Sequence, residues 1–288
     1  MAKYKDEIYN LPFNMNTFSK MFNVVTPYDV KKIINNEIKL SVVEKPTNLE
    51  EQAISMVGTT IYEKLIKHYT EKQWGKSCKE LSPDIIKRIP LRFTYNNNYF
   101  NDKYQGIPEI GYTEMISKMF EGCDILLETD YLKDKEKWNN MADKIYYSGC
   151  IDEYYDYCYG ELEYRSLRFE NSIMTTSLDL QGVAVVNYTD SEHKYTRKIQ
   201  HWYFNQDRLD KILSDNTKLF RGTVTYEYPS EWKRGDEPYY PVNNARNAEL
   251  YQTYKSIKND KVVFTGRLGM YKYMDMDDTI KAALDSSL

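Results

Sequence analysis

Arg88 and Arg92 stand within five residues of each other, between the run SPDIIK and the Tyr/Asn-rich stretch TYNNNYFNDKYQG, with Trp74 shortly upstream in KQWG. A planar guanidinium offers a fork of donors that matches phosphate or carboxylate oxygens two at a time. An aromatic ring offers a face on which a base or sugar stacks, and a tyrosine adds a hydroxyl for hydrogen bonding. The mixture between His68 and Gly106 therefore suits a polyanionic ligand that also carries rings. Each residue also has a plainer reading: arginines are mostly surface charges, and a Trp before Gly75 can close a helix end from the core side. Tyr69, five residues before Trp74, adds the second ring that a stacking platform needs.

Other chemistries find less support. Cys78, Cys123, Cys150 and Cys158 have no C-x-x-C spacing, and His68, His193 and His201 are scattered, which argues against a zinc site. Four thiols could form two disulfides, but buried free thiols suit a chain of this size in a reducing compartment. A net charge of −4 provides no basic field for nucleic acid, so any anion must be held locally. No apolar run approaches the roughly 18 residues of a membrane span. The opening residues MAKYKDEIYNLPFN contain no apolar secretory core, and a cytoplasmic location is expected. The 28 tyrosines exceed ordinary usage, through codon bias or as ring faces for sugars and bases.

The elements that must position these residues follow from periodicity. From Thr17 to about Lys87 the pattern is helical: PYDVKKIINNEI, then TNLEEQAISMV with Thr47 and Glu50 spaced as a capping box, then TIYEKLIKHY, and SPDIIKRI with Ser82 as N-cap and Pro83 at the first helical position. After Gly111 come a helix at YTEMISKMF, a strand at DILLET and a strand at KIYYSG. The alternating runs EYRSLRFE, GVAVVNYT, YTRKIQHWYF and KLFRGTVTYEYP fit an antiparallel sheet with one wet face. A helix over NNARNAELYQTYKSIK, a strand at KVVFTG, the loop RLGMYKYMD and a helix at MDDTIKAALDSS complete the chain. At that last helix Asp275, Asp277 and Asp278 are placed for N-capping, and the helix start also presents free N–H groups and a positive dipole end. The opening of a dinucleotide domain, G-x-G-x-x-G between strand and helix, is not found.

Eight stretches, LPFNMNTF, YTEKQWG, IPLRFTYNNNYFNDKYQGIPEIGYTEMI, YYSG, VVNYTD, YTRKIQHWYF, EPYYPVN and FTGRLGMYKYMDMDDTI, together resemble the UDP-galactopyranose mutase family over essentially the whole chain. The resemblance implies an α/β, mixed α+β fold: an FAD-binding Rossmann-like domain with an inserted helical bundle and an antiparallel β-sheet domain. On this reading 1–14 supply strands of the substrate-side sheet, 15–106 the helical bundle with a mobile loop, and 107–150 part of the FAD domain. Residues 151–257 form the sheet domain and 258–288 the C-terminal part of the FAD domain. The family's dinucleotide fingerprint would lie ahead of Met1, so a fragment with impaired flavin binding is expected.

The implied activity is isomerisation of UDP-galactopyranose and UDP-galactofuranose, with N5 of reduced FAD attacking the anomeric carbon while UDP departs. By resemblance Arg88, on a mobile loop, and Arg197, on a strand, grip the diphosphate. Tyr69 and Trp74 line the uridine and sugar pocket, Tyr99, Tyr240 and Tyr273 approach the diphosphate, and Asn187 lies near the sugar. Arg267 lies against the flavin, and Tyr273, Asp275 and Met276 approach flavin and sugar. Arg92 matches no role. UDP-galactose is the expected partner, with no nucleic acid and no membrane insertion, and a homodimer is compatible with this reading. Two alternatives stay open: a UDP-sugar-binding remnant without catalysis, and a related flavin oxidoreductase of the amine-oxidase type, against which KQWG, YTR and EPYYP count.

Overall fold

The computed structural model describes residues 1–41, 43, 45–87, 89–175, 181–214 and 221–287. Its strands are β1 (Ala2–Tyr4), β2 (Glu7–Tyr9), β3 (Ile145–Tyr147), β4 (Tyr164–Met174), β5 (Val185–Tyr188), β6 (Arg197–Gln200), β7 (Gly222–Glu231), β8 (Tyr240–Pro241) and β9 (Val262–Phe264). The helices are α1 (Met15–Phe22), α2 (Pro27–Ser41), α3 (Leu49–Ile61), α4 (Lys67–Trp74), α5 (Asp84–Lys87), α6 (Tyr112–Met119), α7 (Lys135–Met141), α8 (Ile151–Tyr154), α9 (Gln206–Ser214), α10 (Ala245–Lys255), α11 (Gly266–Gly269) and α12 (Met276–Ser287). The chain divides into two compact units, Met1–Tyr112 with Leu167–Ser230, and Thr113–Ser166 with Glu231–Leu288.

In the first unit, Leu49, Ala53, Val57 and Ile61 recur every four residues along α3 and are all buried, each apolar side chain contributing about 1.5–3 kcal/mol when larger than Ala. This stripe sets the register of the helix start. The cap is accordingly Asn48, whose side chain accepts from Glu51 N at 3.0 Å, while the Glu51 carboxylate accepts from Thr47 N and Oγ1. The capping pair expected at Thr47 and Glu50 is thus displaced by one residue, because Leu49 must enter the core at the first helical position.

Gly58 breaks α3 at φ +79°, and there the Glu37 carboxylate accepts from Thr60 N and Thr60 Oγ1, recapping the chain as it resumes. A π-helical turn, Tyr62–Ile66, then leads into α4, which Gly75 ends in the left-handed region with its N–H on Glu71 O. At the sequence start, Asn14 caps α1, Phe13 bridges to Leu91, and Met15 N bonds Thr94 O at 2.9 Å. The loop before α1 and the loop after α5 are thereby knitted into one edge of the helical core.

The sheet of this unit runs β2-β1-β5-β6-β7-β4. β1 is parallel to β5, whereas β1–β2, β5–β6 and β6–β7 are antiparallel. The run YTRKIQHWYF is strand only to Gln200; His201–Phe204 is a 3-10 turn that buries Trp202.

In the second unit β3 and β9 pair in parallel, Ile145 opposite Val262 and Tyr147 opposite Phe264, and the first residues of β4 pair with β8. Tyr147, Tyr154, Tyr155, Tyr254 and Phe264 pack ring against ring, edge-on or stacked, so part of the tyrosine excess is core material. The strand expected at DILLET does not form. Ile125, Leu126 and Leu127 are exposed, and among the described residues no strand lends them an edge with which to pair. All four cysteines are free, and only Cys78 and Cys150 are buried; Cys123 and Cys158 are exposed, contrary to the expectation of buried thiols throughout.

Candidate functional site

Asn187, Arg197 and Glu227 are direct cross-strand neighbours on β5, β6 and β7, and residues so paired share one face of a sheet. The row continues to Ala2 on β1, paired with Asn187. Glu227 is buried, and its carboxylate accepts from Arg197 Nη1 at 3.2 Å and from Thr196 Oγ1 at 3.1 Å. That bond fixes the plane of a guanidinium that remains about a third exposed, at 35 %. The Oδ1 atom of Asn187 is shielded from solvent and accepts no hydrogen bond from the described residues. An uncompensated buried acceptor costs about 1–3 kcal/mol.

Tyr69, on α4, meets the same row. Burial raises its phenol above the usual tyrosine range, while the charge and hydrogen bond of Arg197 pull it down and Glu227 and Tyr99 raise it further. Burial wins, and the ring keeps a neutral, donating hydroxyl. The first unit therefore brings together Tyr69, Tyr99, Asn187 and Arg197 of the expected residues. Trp74 behaves differently: it packs against the helical core at the end of α4. Five residues along a helix rotate a side chain by about 140°, so Tyr69 and Trp74 do not form the expected two-ring platform. Arg88 lies outside the described residues.

Three residues to which sequence reasoning gave no role support this arrangement. Lys72, one turn after Tyr69, donates to Tyr188 O at 2.8 Å, His193 O at 3.0 Å and Tyr195 O at 3.2 Å, fastening α4 to the turn that joins β5 to β6. Burial pushes its ammonium down to about 8, against the pull of the Asp190 carboxylate. Glu227 orients Arg197; its only trace in the sequence is an acidic residue within the aromatic strand TVTYEYP. Arg92 donates to Asn101 Oδ1 at 2.6 Å and to the carbonyls of Tyr99 and Phe100, shaping the exposed loop that carries Tyr99.

In the second unit Tyr240 and Tyr273 stack at 5.8 Å between centroids, and the Arg267 guanidinium lies 4.7 Å from the Tyr273 ring. Arg267 also donates to Tyr239 O at 2.9 Å and Met274 O at 2.6 Å, bracing the loop before α12. Asp275 and an exposed Met276 stand at the start of that helix, with Asp277 and Asp278 in its first turn. β9 passes directly into α11 through Gly266 at φ +70°, and a Cβ on Gly269 would meet Tyr147 O at 2.8 Å, so the backbones approach closely at this end of the β3–β9 pair. A braced guanidinium, stacked phenols and the N–H groups of a twelve-residue helix fit a planar ring that carries negative charge. Among the described residues there is no cluster of three or more His, Cys, Asp or Glu able to hold a metal, and no helix is long and apolar enough to cross a membrane.

Comparison with known proteins places this geometry. The UDP-galactopyranose mutase family model matches residues 64–273. A probable UDP-galactopyranose mutase from Klebsiella pneumoniae is 37 % identical over 293 residues, covering 99 % of this chain and 72 % of that protein. The chain belongs to the UDP-galactopyranose mutase family. A dTDP-fucopyranose mutase from Escherichia coli is 33 % identical, covering 99 % of this chain and 74 % of its own length. The crystal structure of a reduced UDP-galactopyranose mutase superposes with a TM-score of 0.52 at 12 % identity, covering 86 % of this chain and 68 % of that one, a likeness of fold. UDP-galactopyranose mutases are isomerases, and the family implies a flavin cofactor and a sugar-nucleotide substrate.

Proposed function

We propose that the protein interconverts UDP-galactopyranose and UDP-galactofuranose, and that the row Asn187–Arg197–Glu227 with Tyr69 is where it holds the substrate. The observation that carries this reading is the guanidinium of Arg197, oriented by a buried carboxylate while about a third exposed, in the same sheet row as an Asn187 oxygen that has no hydrogen-bond partner among the described residues. A UDP leaving group gathers negative charge on its diphosphate as the anomeric bond breaks. A guanidinium already oriented meets that charge without reorganising. Tyr69 adds a neutral hydroxyl donor, suited to phosphate oxygens where a phenolate would repel them, and Tyr99 adds a second hydroxyl. Asn187 Oδ1 accepts from a sugar hydroxyl. Arg88 supplies the second guanidinium, and Trp74, at the end of the helix that carries Tyr69, borders the uridine.

When bound, reduced FAD supplies the nucleophile, its N5, for the anomeric carbon. Arg267, Tyr273, Asp275 and Met276 would hold its ring system, with Tyr240 stacked on Tyr273. No side chain of this chain is needed as the nucleophile, and the two buried thiols are unsuited to it, since burial pushes Cys78 and Cys150 up to about 12.

A second reading concerns the nucleotide. A relative named for dTDP-fucopyranose aligns over 99 % of the chain, nearly as well as one named for UDP-galactopyranose, so a dTDP-sugar is the alternative substrate. The test is conversion of UDP-galactofuranose and of dTDP-fucofuranose with dithionite-reduced FAD, resolved by anion-exchange chromatography. UDP-galactose turnover is expected, with Arg197→Ala lowering kcat by about 10²-fold, or about 3 kcal/mol, and Arg197→Lys recovering little because a point charge lacks the fork. Parental turnover in Arg197→Ala contradicts the assignment.

A further inference from the structure

The loop that carries Tyr99 is exposed and has no regular secondary structure, yet two polar anchors bracket it. On one side the single oxygen Asn97 Oδ1 accepts from three amides, Asn10 Nδ2 at 2.5 Å, Asn14 Nδ2 at 2.7 Å and Asn16 Nδ2 at 3.0 Å. Asn14 is itself wholly buried; its Oδ1 caps α1 by accepting from Asn16 N and Thr17 N, and its Nδ2 also donates to Asn96 O at 3.0 Å. On the other side Arg92 gathers Tyr99 O, Phe100 O and Asn101 Oδ1 on one nitrogen, while its own backbone N–H is tied to Phe13 O at 2.9 Å. Both anchors thus lead to the same short segment around α1.

We propose that Arg92 and Asn97 are positioning residues that hold Tyr99 in the conformation in which its hydroxyl meets the substrate diphosphate; this rests on the site reading above. A loop with few apolar contacts has no core to order it, so fixing it falls to polar anchors. Charge-assisted hydrogen bonds are the strong ones, and a guanidinium can serve three acceptors from a single rigid plane. Asn97 is an effective hub because its amide oxygen is shared by three donors on the segment around α1, one of them the helix cap Asn14. Lysine at position 92 would offer a mobile point charge and hold only part of the set. Neither residue needs to touch the substrate, and the benefit is paid in advance as order in the free enzyme.

The experiment combines backbone hydrogen exchange over 95–101 with a double-mutant cycle. Arg92→Ala is expected to speed exchange in that loop by about tenfold or more while leaving α3 and the β5–β7 strands unchanged. It should lower kcat/KM by about tenfold, Arg92→Lys by less, and Arg92→Ala/Tyr99→Phe should fall within about twofold of Tyr99→Phe alone, because a residue acting through Tyr99 has little left to lose once its hydroxyl is gone. Asn97→Ala, at an exposed position, serves as the second variant should Arg92→Ala not fold, with the same expectations. Unchanged exchange in the loop, or losses that multiply in the double variant, overturn the proposal. Faster exchange together with a Tyr99→Phe enzyme of parental turnover retains the anchors but removes Tyr99 from the site, overturning the positioning role along with that part of the site reading. Unchanged exchange with a costly Tyr99→Phe leaves the site reading intact and refutes only the anchors.

Discussion

Replacing Asp190 by Asn should destabilise the fold by about 2–3 kcal/mol at pH 7, and the difference should shrink as the solution is acidified. Asp190 lies in the turn between β5 and β6 that keeps Asn187 opposite Arg197. Its side chain is 1 % exposed. One carboxylate oxygen accepts from Glu192 N at 2.9 Å, His193 N at 3.0 Å and the His193 ring at 2.9 Å, and the other accepts from Lys5 N at 3.2 Å. Burial alone would raise this carboxyl; the bonds from the His193 ring, the His193 backbone and Lys5 overcome it and hold the group at about 2. The ordinary value is 3.8. At about 1.4 kcal/mol per tenfold, that gap is worth about 2 kcal/mol, and an amide that turns its NH₂ toward a backbone N–H adds up to about 1. Because the folded-state value lies below the unfolded one, the contribution is complete well above pH 4 and is lost as pH falls from about 4 through about 2. The assay is urea unfolding followed by circular dichroism at pH 7, 5 and 3. A parent–variant difference below about 1 kcal/mol at pH 7, or one that stays constant down to pH 3, refutes the reasoning.

Three further outcomes are expected. Lys72→Met removes a donor from three carbonyls and should cost roughly 2–4 kcal/mol in urea unfolding at pH 7, most of the hydrogen-bond gain being offset by relief of a buried charge; loss of less than 1 kcal/mol would dissociate Lys72 from the junction it is held to make. Gly58→Ala places a Cβ at φ +79° against the Glu37 carboxylate and should lower stability by about 2 kcal/mol, measured by thermal unfolding, with Glu37→Ala/Gly58→Ala relieving the collision but not the backbone strain. Alkylation with iodoacetamide at pH 7.5 should label Cys123 and Cys158 and leave Cys78 and Cys150 intact until the protein is unfolded, read by peptide mass mapping.

The helices were legible because their signals are local. The four-residue stripe of α3 and the cap at Ser82 lie within a few residues of what they control, and the displaced cap at Asn48 shows that burial of Leu49 outranks a capping pattern when the two differ by one position. DILLET has the composition of a strand, but composition cannot supply an edge to pair with. The row Asn187–Arg197–Glu227 brings Arg197 onto a glutamate 30 positions away through strand register, which no short window contains. The roles of Glu227, Lys72 and Arg92 have no local signal for the same reason: charged residues in a sequence read as surface, and only the folded chain shows one buried beneath an arginine, one inside a ring of carbonyls and one gathering a loop. Tyr69 and Trp74 were linked by proximity in the sequence, whereas the helix turns their rings apart.

The central claim is that an arginine fixed at the middle of a sheet row receives the diphosphate of a sugar nucleotide. Calorimetric titration of UDP into the purified protein and into Arg197→Ala tests it most directly, because UDP carries the diphosphate and uridine without requiring turnover. The account predicts one-to-one binding that weakens with added salt and loses about tenfold to 10²-fold affinity in the variant, as expected for an oriented, charge-assisted pair. Equal affinity of parent and Arg197→Ala for UDP would contradict it.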